Sequence, residues 1–103
     1  MEDIKDSRNV PRVITEIPAY IFYEDRTYYG KILNLSCWGA RIKLNHDFSI
    51  NELINLNFVF AAEYSLPAEI VEKIGVNEYR IKFIFCNLQI KESLNRDINW
   101  FRK

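Results

Sequence analysis

Between Val13 and Phe85 the chain reads as a series of short runs in which apolar and polar residues alternate. Period two is the signature of a strand with one face buried. The clearest run is Ala40, Ile42 and Leu44 alternating with Arg41 and Lys43. Ile54, Leu56, Phe58 and Phe60 alternate with Asn55 and Asn57, and Tyr79, Ile81, Phe83 and Phe85 with Arg80 and Lys82. Leu66, Ala68 and Ile70 alternate more loosely with Pro67 and Glu69. Two earlier segments, Val13–Tyr23 and Tyr28–Leu33, are rich in β-branched and aromatic residues, which suit a pleated half-buried surface. Pro18 cannot donate to a ladder, so the first strand is expected to be an edge or to bulge there. Glu24-Asp25-Arg26, Asn45-His46-Asp47 and Gly75-Val76-Asn77 supply turn signals. Six short strands at this spacing predict a mainly all-β fold, a sandwich or a barrel. A barrel is favoured, because closure removes exposed edges.

The period then changes. Ile90, Leu94, Ile98 and Phe101 recur at helical spacing, which predicts an amphipathic helix over about 89–102. Its apolar stripe is expected to plug one end of the barrel; the sharper alternative is a partner surface with Trp100 at its edge. Residues 1–12 are polar and mixed in charge, and read as a flexible N-terminal arm. Residues 13–103 form the barrel domain with its terminal helix.

Composition limits the function. Fourteen basic residues balance fourteen acidic ones, so the chain lacks the net positive charge of a generic DNA- or RNA-binding surface. At 49% hydrophobic and 15% aromatic it is a folding sequence. Cys37 and Cys86 are its two cysteines, with no CxxC spacing and no secreted disulfide framework. No apolar run reaches a membrane span and Met1–Asp6 holds no signal-peptide core, so no membrane insertion and a cytoplasmic location are expected. His46 has no second histidine or patterned cysteine beside it, so no metal site is expected. A thiolate nucleophile at Cys37 would need a histidine partner that nothing in the sequence suggests. No catalytic constellation is visible.

Two motifs carry chemistry. The first is Arg8-Asn9-Val10-Pro11-Arg12, an RxxxR on the arm. Guanidinium groups form bidentate bonds to phosphate and to the O6/N7 edge of guanine, and stack on aromatic planes. The bland alternative is two solvated charges on a tail. The second is Asn34-Leu35-Ser36-Cys37-Trp38-Gly39, an NxSxxG between the second and third strands. The Asn34 amide has donors and an acceptor for a base edge. Ser36 can bond a phosphate or its own backbone. Gly39 permits a positive φ or a close approach to the main chain. The bland alternative is a serine turn closed by a glycine bulge.

An RxxxR arm, two strands, then [D/N]xSxxG leading into Gly39-Ala40-Arg41-Ile42-Lys43-Leu44 resembles the PilZ domain family, over nearly the whole chain from Arg8 to the terminal helix. The resemblance implies a six-stranded antiparallel barrel with a C-terminal helix, and a non-enzymatic module that binds cyclic di-GMP, a bacterial second messenger. It implies that Arg8 and Arg12 contact guanine edges and phosphates, that Asn34 bonds a guanine edge, that Ser36 lies near a phosphate or base, and that Gly39 keeps the floor of the site open. Trp38 packing beside a base and Arg41 adding a phosphate contact are secondary candidates. Ser7 stands where many members carry a second arginine. No cofactor is expected beyond this ligand. The implied role is a sensor or adaptor in motility or biofilm regulation that signals to an effector protein through ordering of the arm. The alternative is a PilZ-like adaptor that works through protein contacts without nucleotide.

Overall fold

A computed structural model describes residues 12–85 and 88–102. Its elements are β1 (Arg12–Tyr23), β2 (Arg26–Ser36), β3 (Gly39–Leu44), β4 (Leu53–Phe60), β5 (Ala62–Gly75), β6 (Glu78–Phe83) and α1 (Leu88–Arg102). The strands form a closed antiparallel barrel in the ring order β1-β2-β3-β6-β5-β4. The expected six-stranded barrel with a C-terminal helix is the fold of this chain.

The alternation does what period two requires. Ala40, Ile42 and Leu44 are buried while Arg41 and Lys43 face solvent, and β4 and β6 repeat the pattern. Ile21, Ile32, Ile42, Leu56, Ala68, Ile70 and Tyr79 are fully buried in the barrel interior. Filling by β-branched and aromatic side chains is how a small barrel becomes a solid core.

Two ends need closing. At one, residues 45–52 fold over the mouth and bury Phe48, whose ring meets Tyr23, Tyr28, His46 and Tyr79 edge-on. The Tyr79 hydroxyl joins this cap to the barrel: it donates to the His46 carbonyl at 2.7 Å and accepts from the Phe48 amide at 2.9 Å. At the other end lies α1. Leu94 and Ile98 are fully buried in the same core as the strands, and Ile90 packs half-buried against it. The Phe101 ring packs on Phe60 with centroids 5.1 Å apart. The Tyr64 hydroxyl donates to Asp97 at 2.5 Å and pairs with Ser93 at 3.1 Å. The stripe is thus a plug, and Trp100 stays on its exposed side.

Some boundaries differ from the sequence expectation. Arg12, counted with the arm, is the first residue of β1. The first strand bulges at Thr15–Glu16, ahead of Pro18, which pairs with Lys31. Pairing of β1 with β4 starts only at Ala19, so Pro18 lies where that flank of β1 is unpaired and a missing donor is tolerated. The fifth strand runs for 14 residues, and the chain enters it through Ala61 at φ 62°.

Truncating Ile98 to alanine removes a plug side chain and is expected to cost about 2–5 kcal/mol. The check is a thermal midpoint lowered by at least ~8 °C, at ~4–8 °C per kcal/mol for a domain of this size. Burial, reinforced by Asp97, pushes the Tyr64 phenol up to about 12. The hydrogen bond to Glu52 does the same for Tyr23. Above pH 10 the unfolded phenols ionise first, so stability falls as pH rises towards 12. Tyr64→Phe should flatten part of that fall in melts recorded between pH 10 and 12.

Candidate functional site

Arg12, the last residue of the first motif, meets the second motif through strand register. Arg12 opens β1 directly opposite Ser36 at the end of β2, and Ile14 stands opposite Asn34. Opposed Cβ atoms lie ~4.5–5.5 Å apart, so these four side chains are immediate neighbours. Arg12 and Ile14 both point outward, Ile14 being 85% exposed.

Asn34 reaches this face through a backbone irregularity. Ile32 is buried, and strict alternation from it would turn Asn34 inward. The β2–β3 pairing instead skips Leu33, with Ile32 opposite Ile42 and Asn34 opposite Arg41. One extra residue on one strand is a β-bulge, which resets the alternation and re-aims the side chains beyond it. Asn34 therefore sits half-buried on the outer side while Leu35 returns to the core. Among the described residues the Asn34 amide has no side-chain hydrogen bond, so both ends of it remain available.

Ser36 and Gly39 shape the connection itself. The Ser36 hydroxyl accepts from the Trp38 amide at 3.1 Å and the Gly39 amide at 3.3 Å. It also lies 3.4 Å from the Gly39 carbonyl, to which it donates. This is a serine turn that fixes the loop. Gly39 does not use a positive φ. A Cβ there would stand 2.1 Å from the Ile81 carbonyl oxygen on β6, so the glycine permits close approach of two strands. Trp38 completes the loop: its carbonyl accepts from the Phe83 amide at 2.9 Å, and the Lys91 ammonium lies 3.2 Å from the centroid of its half-exposed ring. That cation–π contact ties the loop to α1. Burial pushes the Cys37 thiol up, with Lys91 partly opposing it, which is the environment of an inert thiol.

The sheet carries the patch further. Arg41 stands opposite Asn34 on one side and Arg80 on the other, and Arg80 opposite Glu72. Lys82 lies opposite Gly39. The outer face beside the motif loop is therefore an amide flanked by arginines, the lattice of donors that suits an anion with base edges. Ile14 and Arg80 were not singled out from the sequence, because their neighbours are set by register between distant strands. Arg8 and Cys86 lie outside the described residues. An open cleft lined by Asp47, Lys73, Gly75, Val76 and Asn77 lies at the other end of β3 and β6, away from both motifs. Among the described residues no group of acidic, histidine and cysteine side chains is arranged to hold a metal, and no helix is long and apolar enough to cross a membrane.

Six strands closed into a ring and plugged by a helix define a small β-barrel domain. The PilZ domain model matches residues 6–100, and the chain belongs to the PilZ domain family, whose members are generally cyclic di-GMP-binding adaptors. Two solved structures share the fold. The PilZ domain of CeSA from a cellulose-synthesizing bacterium aligns with a TM-score of 0.72 at 23% identity, over 89% of this chain and 98% of that one. The Bacillus subtilis inhibitor of motility, MotI/DgrA, aligns with a TM-score of 0.77 at 12% identity, over 99% of this chain but 53% of its own. This chain thus spans about half the length of MotI/DgrA. No curated protein sequence matches the chain.

Gly39→Ala is expected to destabilise the barrel by about 1–3 kcal/mol, since backbone and not a flexible tip must move. Gly75→Ala meets nothing within 4 Å and should lie within ~0.5 kcal/mol of the parent or slightly above it. Urea unfolding of the two variants measures the contrast.

Proposed function

We propose that this chain is a cyclic di-GMP sensor without catalytic activity, acting in the cytoplasm as an adaptor to an effector protein. The observation that carries the reading is the pairing of Arg12 with Ser36, which brings the last residue of the RxxxR motif and the NxSxxG segment onto one outer face. Asn34 reads a guanine edge, and Arg12 contacts a phosphate and stacks on a purine. Arg8 approaches from the preceding segment and completes the clamp. Ser36 acts in two ways: its hydroxyl holds the loop, and its position against Arg12 sets where the ligand rests. Exposed Trp38 offers a ring beside the loop, and Arg41 a further donor next to Asn34.

Energetics favour moderate affinity. Hydrogen bonds to charged groups contribute ~1.5–3 kcal/mol each. Fixing the backbone of the segment that carries Arg8 costs ~1–2 kcal/mol per residue ordered. The two are comparable, so ligand binding and ordering of that segment rise and fall together. The rearranged surface is what an effector in motility or biofilm control reads.

Isothermal titration with cyclic di-GMP tests the reading. Wild type should bind, and Arg8→Ala or Arg12→Ala should each weaken binding by at least about tenfold, as the loss of one charged hydrogen bond implies. No heat from wild type at high ligand concentration overturns the sensor reading. A second reading, an adaptor that works through protein contacts alone, has one specific observation behind it. The Ser36 hydroxyl and both outer arginines already have protein partners. The same titration separates the two.

A further inference from the structure

The row of outward residues that begins at Ile14 and Asn34 continues across the barrel as Arg41, Arg80 and Glu72. Arg41 and Arg80 are directly opposed on neighbouring antiparallel strands and both are exposed. Like charges in that relation destabilise a sheet. Each guanidinium is met by its own carboxylate. Arg41 reaches Glu78 with Nε 3.8 Å from Oε1, two pairs further along the β3–β6 ladder. Arg80 pairs with Glu72 on β5. The Asn34 amide flanks Arg41 on its other side, and one outward row away Gly39 contributes no side chain. One strand, β3, lies between β2 and β6, so Asn34 and Arg80 are two strand spacings, ~10 Å, apart across the sheet, a span an arginine side chain shortens considerably.

We infer that Arg80, acting with Arg41, is a second phosphodiester-binding position of the cyclic dinucleotide site. The inference rests on the ligand proposed above. A bridging anion converts this repulsive pair into two charge-assisted contacts, and a planar guanidinium fork suits a phosphodiester's paired oxygens. Glu72 is then a competitor: it holds Arg80 in the free protein and must release it when ligand arrives. The site thus spans three neighbouring strands beyond the arginine arm, from β2 across β3 to β6.

Calorimetry with cyclic di-GMP on the full chain tests this with matched controls. Arg80→Ala should weaken binding at least tenfold, and Arg80→Lys should recover only part of it because a point charge lacks the fork. Lys43→Ala removes the same charge from the outer face of β3, one row away, and should change affinity less than twofold. Glu72→Gln should tighten binding two- to fivefold. Glu63→Gln makes the same charge change nine residues away along β5 and should not. Equal effects of Arg80→Ala and Lys43→Ala, or of Glu72→Gln and Glu63→Gln, would mean that only the overall field matters, and overturn this inference while leaving the sensor reading intact. Absence of binding by the wild type overturns both.

Discussion

Everything in this structure depends on closing the ring where β3 meets β6. The two strands come so close that the Ile81 carbonyl occupies the space a side chain at position 39 would need. That contact completes the circuit begun by β1, which pairs with β2 along its length and with β4 from Ala19 onward. Closing the six strands into a ring leaves only part of β1's flank, ahead of Ala19, unpaired, and the core is sealed at both mouths by local devices. The Phe48 cap hangs on the Tyr79 hydroxyl, and the helical plug hangs on Leu94, Ile98 and the Tyr64–Asp97 bond.

Closure also determines where chemistry can be placed. The interior is full, so the outer face is what remains for a ligand. A side chain gets there by parity along its strand, and the Leu33 bulge is what gives Asn34 the right parity. The bulge pair on β1, Thr15–Glu16, lies across from it. The amide is consequently held by ladder hydrogen bonds on both flanks, which is a stiffer mounting than a loop provides. The Trp38 loop is anchored to β6 through the Phe83 amide and to the helix through Lys91.

Much of this was legible in the sequence, and the failures have one cause. β3, β4 and β6 read cleanly because they alternate without interruption, and α1 because Leu94 and Ile98 sit four apart on one face. β5 was seen only in part, since bulges beyond Ile70 and Lys73 break its rhythm. Its entry turn uses alanine in the left-handed region, at a cost of roughly 1–2 kcal/mol, where glycine or asparagine would have announced it. The motifs were visible as strings; that Arg12 faces Ser36, or Arg41 faces Arg80, is a property of register between separate segments, which local periodicity does not encode.

The dual nature of the NxSxxG segment has a consequence for how such chains drift. Its serine and glycine answer to the barrel: one fixes the turn, the other lets two backbones touch. Its asparagine, and the arginines around it, answer to whatever lies outside. A PilZ-fold chain that binds nothing on this face is released from the second obligation and not from the first. Half of the signature would outlive the function it advertises, and the informative letters would be the ones whose loss leaves the fold untouched.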